Sequence, residues 1–116
     1  MRAIIVEDEF LAAVHAEAAL DDLGIQVVGT AEDSAGALKL VSAEPHLALV
    51  DLNLRDGFTG PQIASHLAKV GIGVVFVTAN PRQLEGLNHI ESPIVEKPLE
   101  LRKLGQAVDI VASRLS

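Results

Sequence analysis

Short apolar runs alternate with helix-like segments along the whole chain, and this alternation restricts the fold more than any single motif does. Five runs have the length and the β-branched content of buried strands. They lie at residues 3–6, 25–31, 47–50, 73–77 and 93–95. Strands that alternate with helices predict a parallel sheet with helices on both faces and right-handed crossovers. At 116 residues, the chain is expected to be a single α/β domain spanning residues 1–116.

The first two helices are marked by their boundaries as well as by their periodicity. Residues 10–23 are rich in Ala and end at Gly24, a residue type that often terminates helices. Asp33 or Ser34 is suited to cap a second helix, which must end before Pro45. The predicted apolar face of this second helix contains Leu38 and Val41.

Two further helices are expected after the third and fifth strands. Thr59 or Gly60 is suited to start the first of these, with Pro61 tolerated in its first turn. Its predicted apolar stripe consists of Ile63, Ala64, Leu67 and Val70. The last helix carries apolar residues at spacings of three and four, which predicts a core-facing side. These residues are Leu101, Leu104, Val108, Val111 and Leu115. Between the fourth and fifth strands, the polar residues 82–88 predict only a brief helix.

Composition limits the classes of function that the chain can serve. Hydrophobic residues make up 49% of the sequence and aromatic residues only 3%, so the core must be built from Val, Ile, Leu and Ala. The sequence has no cysteine, which excludes disulfides and fits a reducing, cytoplasmic environment. A formal net charge of -7 argues against direct binding to nucleic acid. Apolar runs far shorter than the roughly 20 residues of a membrane span argue against a membrane protein.

Each of four runs stops at a polar residue that is able to serve in a site. Glu7 and Asp8 follow the first run, Asp51 the third, Thr78 the fourth, and Lys97 stands two residues after the fifth. In a parallel sheet, the carboxyl ends of the strands share one edge, where open α/β sheets bind their ligands. Three carboxylates gathered there would repel one another unless a cation lay between them. Hard oxygen ligands of this kind predict a Mg²⁺ site.

Asp51 is the candidate nucleophile of this edge. Alone, a strand-end aspartate is as readily explained as a turn or capping residue. A carboxylate is also able to attack phosphorus and form an aspartyl-phosphate when the phosphoryl charge is neutralised. Lys97 and Thr78, together with the metal, would supply that neutralisation, since phosphoryl transfer depends mainly on positioning and charge. The joint placement of these residues favours a phosphoryl-transfer site over a turn.

The ordered set Glu7-Asp8, Asp51, Thr78-Ala79 and Lys97-Pro98 resembles the receiver domain of two-component response regulators, over nearly the whole chain. The resemblance implies a flavodoxin-like, doubly wound, five-stranded parallel sheet in strand order 2-1-3-4-5. The short, proline-containing loop after Thr78 is similar to that of receivers in alphaproteobacterial stress-signalling proteins, including stand-alone receivers without an output domain.

The resemblance also implies a metal-binding set and a phosphoacceptor. Asp51 would accept the phosphoryl group of a phosphohistidine on a sensor histidine kinase or phosphotransfer protein. Mg²⁺ would be held by Asp8, Asp51 and the main-chain carbonyl of Asn53, with Glu7 acting directly or through water.

Further implied roles concern the phosphoryl group and the switch. Thr78 and the main-chain amide of Ala79 would bind phosphoryl oxygens, and Lys97 would pair with the phosphate. The peptide bond between Lys97 and Pro98 would be cis. Thr78 would move toward the phosphoryl group and change the surface of the domain.

Two departures from the family pattern concern this switch. Receivers commonly have an aromatic residue three places before the lysine, where this chain has Ile94. The interval from Thr78 to Lys97 is also short and contains Pro81 and Pro93, which predicts a stunted helix after the fourth strand.

Three functions are compatible with these residues. The first is a Mg²⁺-dependent phosphoacceptor, a switch rather than an enzyme, that changes the binding of an unidentified downstream protein. The second is a pseudo-receiver that is not phosphorylated and binds a partner constitutively. The third is a small phosphatase, because Asp51-Leu52-Asn53 superficially resembles an Asp-x-Asp motif. Asn53 cannot act as the general acid of that motif, so the third is disfavoured.

Overall fold

A computed structural model describes residues 1–87 and 91–115 and contains a five-stranded parallel sheet covered by helices on both faces. The strands are β1 (Arg2–Val6), β2 (Gln26–Ala31), β3 (Leu47–Val50), β4 (Gly73–Thr78) and β5 (Ile94–Glu96). The helices are α1 (Phe10–Asp22), α2 (Ser34–Lys39), α3 (Gly60–Lys69) and α4 (Leu101–Leu115). The strand order is β2-β1-β3-β4-β5, which confirms the predicted flavodoxin-like arrangement.

The sheet separates two apolar cores because alternate residues of each strand point to opposite faces. In β3, Ala48 and Val50 belong to the core beneath α2 and α3. Leu47 and Leu49 belong to the core beneath α1 and α4. All four residues of β3 are buried, as expected for a central strand of a doubly covered parallel sheet.

The register of the strands brings their polar ends to the same level. Val6 is paired with Val50 across β1 and β3, so Glu7 and Asp51 emerge side by side. Thr78 is paired with Glu96 across β4 and β5, so Lys97 follows directly at the edge. This register is the reason that the polar residues after the strands lie at one edge of the sheet.

The first two helices begin at acidic side chains. Glu9, which by sequence is only a surface acid, accepts hydrogen bonds from the main-chain amides of Leu11 and Ala12 and caps α1. Asp33 caps α2 through a 2.9 Å hydrogen bond from the amide of Gly36. Such caps satisfy amides that lack partners within the first turn of a helix.

The second helix departs from its predicted apolar face. Ala37 is fully buried, whereas Leu38 is 43% exposed, so Leu38 is not a core residue. After Lys39 the chain tightens into a 3₁₀ turn, and this turn packs Leu40 and Val41 against the core. The pattern identified Val41 correctly but assumed that the α-helix continues past Lys39 to Val41.

The ends of the predicted stripes are also more exposed than expected. In α3, Ile63, Ala64 and Leu67 are buried, but Val70 lies at the C-cap and is 52% exposed. In α4, the central apolar residues are buried, while Leu101 and Leu115 in the terminal turns are exposed. Spacing predicts which side of a helix is apolar, but it does not predict how far that helix extends beyond the sheet.

The connection between β4 and β5 contains a 3₁₀ turn at Pro81–Leu84. Leu84 is 7% exposed and anchors this turn in the core. The predicted brief helix over residues 82–88 is therefore replaced, in the described part of that segment, by a single tight turn, and Asn88 lies outside the described residues. None of the helices in the described ranges has the length and hydropathy of a membrane span.

Candidate functional site

Lys97 joins two carboxylates at the carboxyl edge of the sheet. Its Nζ donates hydrogen bonds to Oε1 of Glu7 at 2.5 Å and to Oδ2 of Asp51 at 2.9 Å. Glu7, Asp51 and Lys97 directly follow β1, β3 and β5, so one ammonium group joins the ends of three strands. Glu7 is buried, while Asp51 and Lys97 are half-buried.

The electrostatics of this group follow from its partial burial. Burial raises the pKa of the Glu7 carboxyl, and the hydrogen bonds from Lys97 and from the amide of Glu9 offset that effect only in part. Burial alone would lower the pKa of Lys97, but its hydrogen bonds to Glu7 and Asp51 outweigh burial, and the pKa is raised. Lys97 therefore remains an ammonium group that neutralises the carboxylates facing it.

A set of carboxylates beside Lys97 has the donor chemistry of a divalent cation site. Glu7, Asp8 and Asp51 each present an oxygen atom, and these atoms lie within 4.8 Å of one another. Asp8 is exposed, so the cluster is open to solvent on one side. Several carboxylate oxygens with room for water are the surroundings that Mg²⁺ prefers. The residues present therefore fit this ion.

Thr78 is the last residue of β4, the strand that lies between β3 and β5 at this edge of the sheet. It is 1% exposed, and its hydroxyl oxygen accepts a 3.1 Å hydrogen bond from the amide of Asn80. Its carbonyl accepts a 2.9 Å hydrogen bond from the amide of Lys97, which fixes β4 against the start of the β5–α4 connection. Ala79, the next residue, is exposed. The peptide bond between Lys97 and Pro98 is cis.

The backbone after Asp51 is held close to the start of α3. Oδ1 of Asp51 accepts a 2.7 Å hydrogen bond from the amide of Leu52, and the amide of Gly60 donates to the carbonyl of Leu52 at 3.1 Å. A Cβ atom on Gly60 would overlap the carbonyl oxygen of Asp51 and the Cα of Leu52. Glycine is therefore required for this close approach.

The loop between β3 and α3 is tied to the neighbouring β2–α2 loop. Asp56 accepts hydrogen bonds from the hydroxyl of Thr59 at 2.7 Å and from the amide of Ser34 at 3.2 Å. These bonds lower the pKa of Asp56. Arg55 pairs with Glu32 through its side chain and donates to the Glu32 carbonyl through its amide. Asp56 therefore joins the two loops through its side chain.

A cavity of about 300 Å³ borders the site on the side of α1. Its polar end is formed by Glu7, Asp51 and Lys97, and its walls are largely aliphatic. The facing residues of α1 include Ala12 and Ala16, whose small side chains leave this space open. The small alanine side chains of α1 therefore contribute to the open space beside Asp51.

The structure brings together Glu7, Asp8, Asp51 and Lys97. Thr78 is linked to this group through the main-chain hydrogen bond from the amide of Lys97. Ile94 lies away from this group, on the outer strand β5, and is 44% exposed.

Sequence reasoning missed a contact made by the side chain of Asn53, since the family resemblance implied a role only for its main-chain carbonyl. The Asn53 side chain pairs with the side chain of Gln83, 30 residues away. Contacts of this separation have no local sequence signal.

A family model, the response regulator receiver domain, matches residues 3–109. The match covers most of the chain and agrees with the strand order, so the protein belongs to the response regulator receiver family. This is a family of regulators rather than of enzymes.

Relatives of known name point to one group within this family. The chain is 36% identical over 101 residues to the phyllosphere-induced regulator PhyR of Methylorubrum extorquens, covering 84% of this chain and 38% of that protein. The PhyR receiver domain of Erythrobacter litoralis has a TM-score of 0.87 at 29% identity, covering 97% of this chain and 89% of that one. A mutant of the anti-anti-sigma factor PhyR from Bartonella quintana has a TM-score of 0.85 at 28% identity, covering 97% of this chain and 48% of that one. The chain thus spans well under half of the curated relative that it matches.

Proposed function

We propose that Asp51 accepts a phosphoryl group from a phosphohistidine on a sensor histidine kinase or a phosphotransfer protein. The observation that carries this proposal is the contact of Lys97 with Asp51 and Glu7 at the carboxyl edge of the sheet. It supports Asp51 as the nucleophile because Asp51 is half-buried, follows a fully buried strand and is paired with the ammonium group of Lys97.

In the proposed reaction, an oxygen of the Asp51 carboxylate attacks the phosphorus atom of the donor. An O–P bond forms while the N–P bond to the donor imidazole breaks, and the imidazole leaves with the electron pair of that bond. No general base is needed because a carboxylate carries its own negative charge. The chain's task is to position the groups and to neutralise the phosphoryl oxygens.

The carboxylates that would hold Mg²⁺ are those of Glu7, Asp8 and Asp51, whose oxygen atoms lie close together. The main-chain carbonyl of Asn53 would complete the set, as the family resemblance implies. When bound, the ion supplies positive charge close to the phosphoryl oxygens. The carboxylates of Glu7, Asp8 and Asp51, on two loops, would otherwise repel an incoming phosphoryl group.

The remaining contacts to the phosphoryl group come from β4 and β5. Lys97 would transfer its hydrogen bond from the Asp51 carboxylate to a phosphoryl oxygen. The hydroxyl oxygen of Thr78 accepts from Asn80, which leaves the hydroxyl proton free to be donated to the phosphate. The main-chain amide of Ala79 would bind a further oxygen.

We propose that Thr78 starts the conformational switch and that Ile94 forms part of the surface that changes. Ile94 is exposed on an outer strand, so it would act as a contact residue rather than by turning inward. The downstream partner would be a protein, in keeping with the relative from Bartonella quintana that is described as an anti-anti-sigma factor. The kinase domains that supply phosphohistidine operate in the cytoplasm, where this protein would act.

The proposal is tested by intact-mass spectrometry after incubation with Mg²⁺ and acetyl phosphate. The wild type should gain the mass of one phosphoryl group, and Asp51→Asn should gain none. Asp56→Asn is a matched control, because this carboxylate lies in the same loop but contacts Thr59 and Ser34 rather than Lys97. Failure of the wild type to gain mass, or an equal gain in Asp51→Asn, would contradict the proposal.

The alternative is a pseudo-receiver that binds its partner without phosphorylation. The replacement of the usual aromatic residue by Ile94, and the single turn at Pro81–Leu84, favour this alternative. The two functions are separated by partner affinity: a phosphorylation-dependent switch requires a difference between the phosphorylated and free forms, and a constitutive module shows none.

A further inference from the structure

The side chains of Asn53 and Gln83 form a reciprocal amide pair beside the phosphoacceptor. Nδ2 of Asn53 donates to Oε1 of Gln83 at 2.6 Å, and Nε2 of Gln83 donates to Oδ1 of Asn53 at 3.3 Å. Each amide is thus both donor and acceptor, which fixes the relative orientation of the two groups more strictly than a single bond would. The pair joins the β3–α3 loop to the β4–β5 connection.

Gln83 is the firmly held member of this pair. It lies in the 3₁₀ turn Pro81–Leu84, and its amide donates to the carbonyl of Asn80 at 3.2 Å. The neighbouring Leu84 is buried in the core beneath α2 and α3. The turn therefore presents the Gln83 side chain from a fixed position.

Asn53 has no comparable support. It is exposed, and within residues 1–87 and 91–115 its only hydrogen bonds are the two to Gln83. Asn53 stands two residues after Asp51, and its main-chain carbonyl belongs to the proposed Mg²⁺ site. Whatever orients Asn53 also orients that carbonyl, because both belong to one short segment of backbone.

We propose that Gln83 is a positioning residue of the phosphoacceptor site, which holds Asn53 and thereby sets the affinity for Mg²⁺. The inference rests on the proposed function of Asp51 and its metal, and it extends that function to a residue outside the strand-end set. Side chains that orient metal ligands commonly affect metal affinity although they do not touch the ion.

The same pair couples the metal site to the β4–β5 connection. A coupling free energy between two sites is reciprocal, so a turn that stabilises metal binding must itself respond to the metal. Mg²⁺ should therefore change the surroundings of the Gln83 side chain. The metal site would thereby be coupled to the β4–β5 connection without an aromatic residue at position 94.

The experiment measures Mg²⁺ binding in the absence of any phosphodonor, by calorimetry and by NMR of the Gln83 side-chain amide. Gln83→Ala should weaken binding by about tenfold, the lower end for a residue that orients a metal ligand, because the pair is exposed. Gln106→Ala is the control, since Gln106 is exposed on α4. It should leave the dissociation constant unchanged.

An exchange of the two side chains tests the geometry. The double variant Asn53→Gln with Gln83→Asn keeps both amides and the total length of the pair, so it should restore binding to near the wild-type value. An unchanged dissociation constant in Gln83→Ala, an equal loss in Gln106→Ala, or no recovery in the exchanged variant would each overturn the inference.

Failure of this inference is distinguishable from failure of the proposed function. At saturating Mg²⁺, Gln83→Ala should still gain one phosphoryl group on Asp51, because its nucleophile and Lys97 are intact. If Gln83→Ala weakens Mg²⁺ binding as predicted but the wild type never accepts a phosphoryl group, the phosphoacceptor role of Asp51 is refuted. The positioning role of Gln83 in Mg²⁺ binding would still hold.

Discussion

Nζ of Lys97 lies 2.9 Å from Oδ2 of Asp51, and this ion pair joins the end of β5 to the end of β3 across the end of β4. Because Lys97 also contacts Glu7 on β1, it holds together a sheet edge on which like charges would otherwise face one another. The same arrangement that stabilises the resting protein would provide a cation for the proposed phosphoryl transfer.

Removal of this ammonium group should therefore destabilise the protein. Lys97→Met keeps most of the side-chain volume but leaves Glu7 and Asp51 without their cation. Breaking a fully buried pair costs about 3–5 kcal/mol, and the partial exposure of Lys97 reduces the expected loss to about 1–3 kcal/mol. Urea unfolding at neutral pH measures this loss, and Mg²⁺ should restore part of it by replacing the lost positive charge.

The matched control for Lys97 is Lys103→Met. Lys103, in the first turn of α4, forms an exposed pair at 3.6 Å with Glu100, which directly precedes the helix. Exposed pairs contribute only about 0–1 kcal/mol. Equal losses of unfolding free energy in the two variants would contradict the role given to Lys97.

A second prediction concerns the close approach of α3 to the Asp51 backbone. Gly60→Ala should destabilise the protein by about 1–3 kcal/mol, because the added Cβ overlaps main-chain atoms of Asp51 and Leu52 that have no room to move. It should also lower the rate at which Asp51 gains a phosphoryl group. Urea unfolding and time-resolved intact mass measure the two effects.

Gly105→Ala is the contrasting substitution. Gly105 lies within α4, and an added Cβ would meet only Leu23 at an ordinary contact distance of 3.6 Å. Alanine is favoured over glycine in helices by about 0.5–1 kcal/mol, so this variant should be at least as stable as the wild type. A Gly60→Ala protein as stable as Gly105→Ala would refute the steric argument.

The third prediction is a pH dependence that arises from Asp56. Its hydrogen bonds from Thr59 and Ser34 lower its pKa below the ordinary value of 3.8 in the folded protein. The unfolded chain then binds the proton more readily, so the stabilisation by Asp56 is fully present above that value and is lost as the pH falls through the lowered pKa. The difference in unfolding free energy between the wild type and Asp56→Asn should shrink below about pH 4.

Thr59→Ala tests the cause of this dependence, because it removes the 2.7 Å hydrogen bond to Asp56. The acid-dependent part of the stability should become smaller in this variant. A difference that grows toward low pH would have the opposite sign and would contradict the assignment.

The parts of the structure that followed from sequence are those set by burial and strand register. The apolar runs at β1, β3 and β4 predict strands, and the polar residues that end them meet because parallel strands share an edge. Leu38 was misplaced because the α-helix ends at Lys39 and a 3₁₀ turn follows, so Leu38 and Val41 do not share one α-helical face. Periodicity does not encode this change.

Side-chain pairs between distant loops were also beyond prediction. Nothing in the residues around Asn53 or Gln83 identifies the other as its partner, since that contact depends on the tight turn that Leu84 anchors. The capping role of Glu9 was missed for a different reason. Glutamate is not among the preferred cap residues, so its position before α1 did not indicate one.

The last prediction separates the two residues at the start of β5. Val95 is 3% exposed, and Val95→Ala should cost about 2 kcal/mol because it removes two buried carbon groups and leaves a cavity. Ile94 is 44% exposed, and Ile94→Ala should change the unfolding free energy by less than about 0.5 kcal/mol. Both variants should still gain a phosphoryl group on Asp51, because the carboxylate cluster and the hydrogen bonds of Lys97 involve neither side chain. If Ile94→Ala destabilises the protein as much as Val95→Ala, Ile94 is part of the core after all and cannot serve as the exposed contact through which the switch reaches a partner.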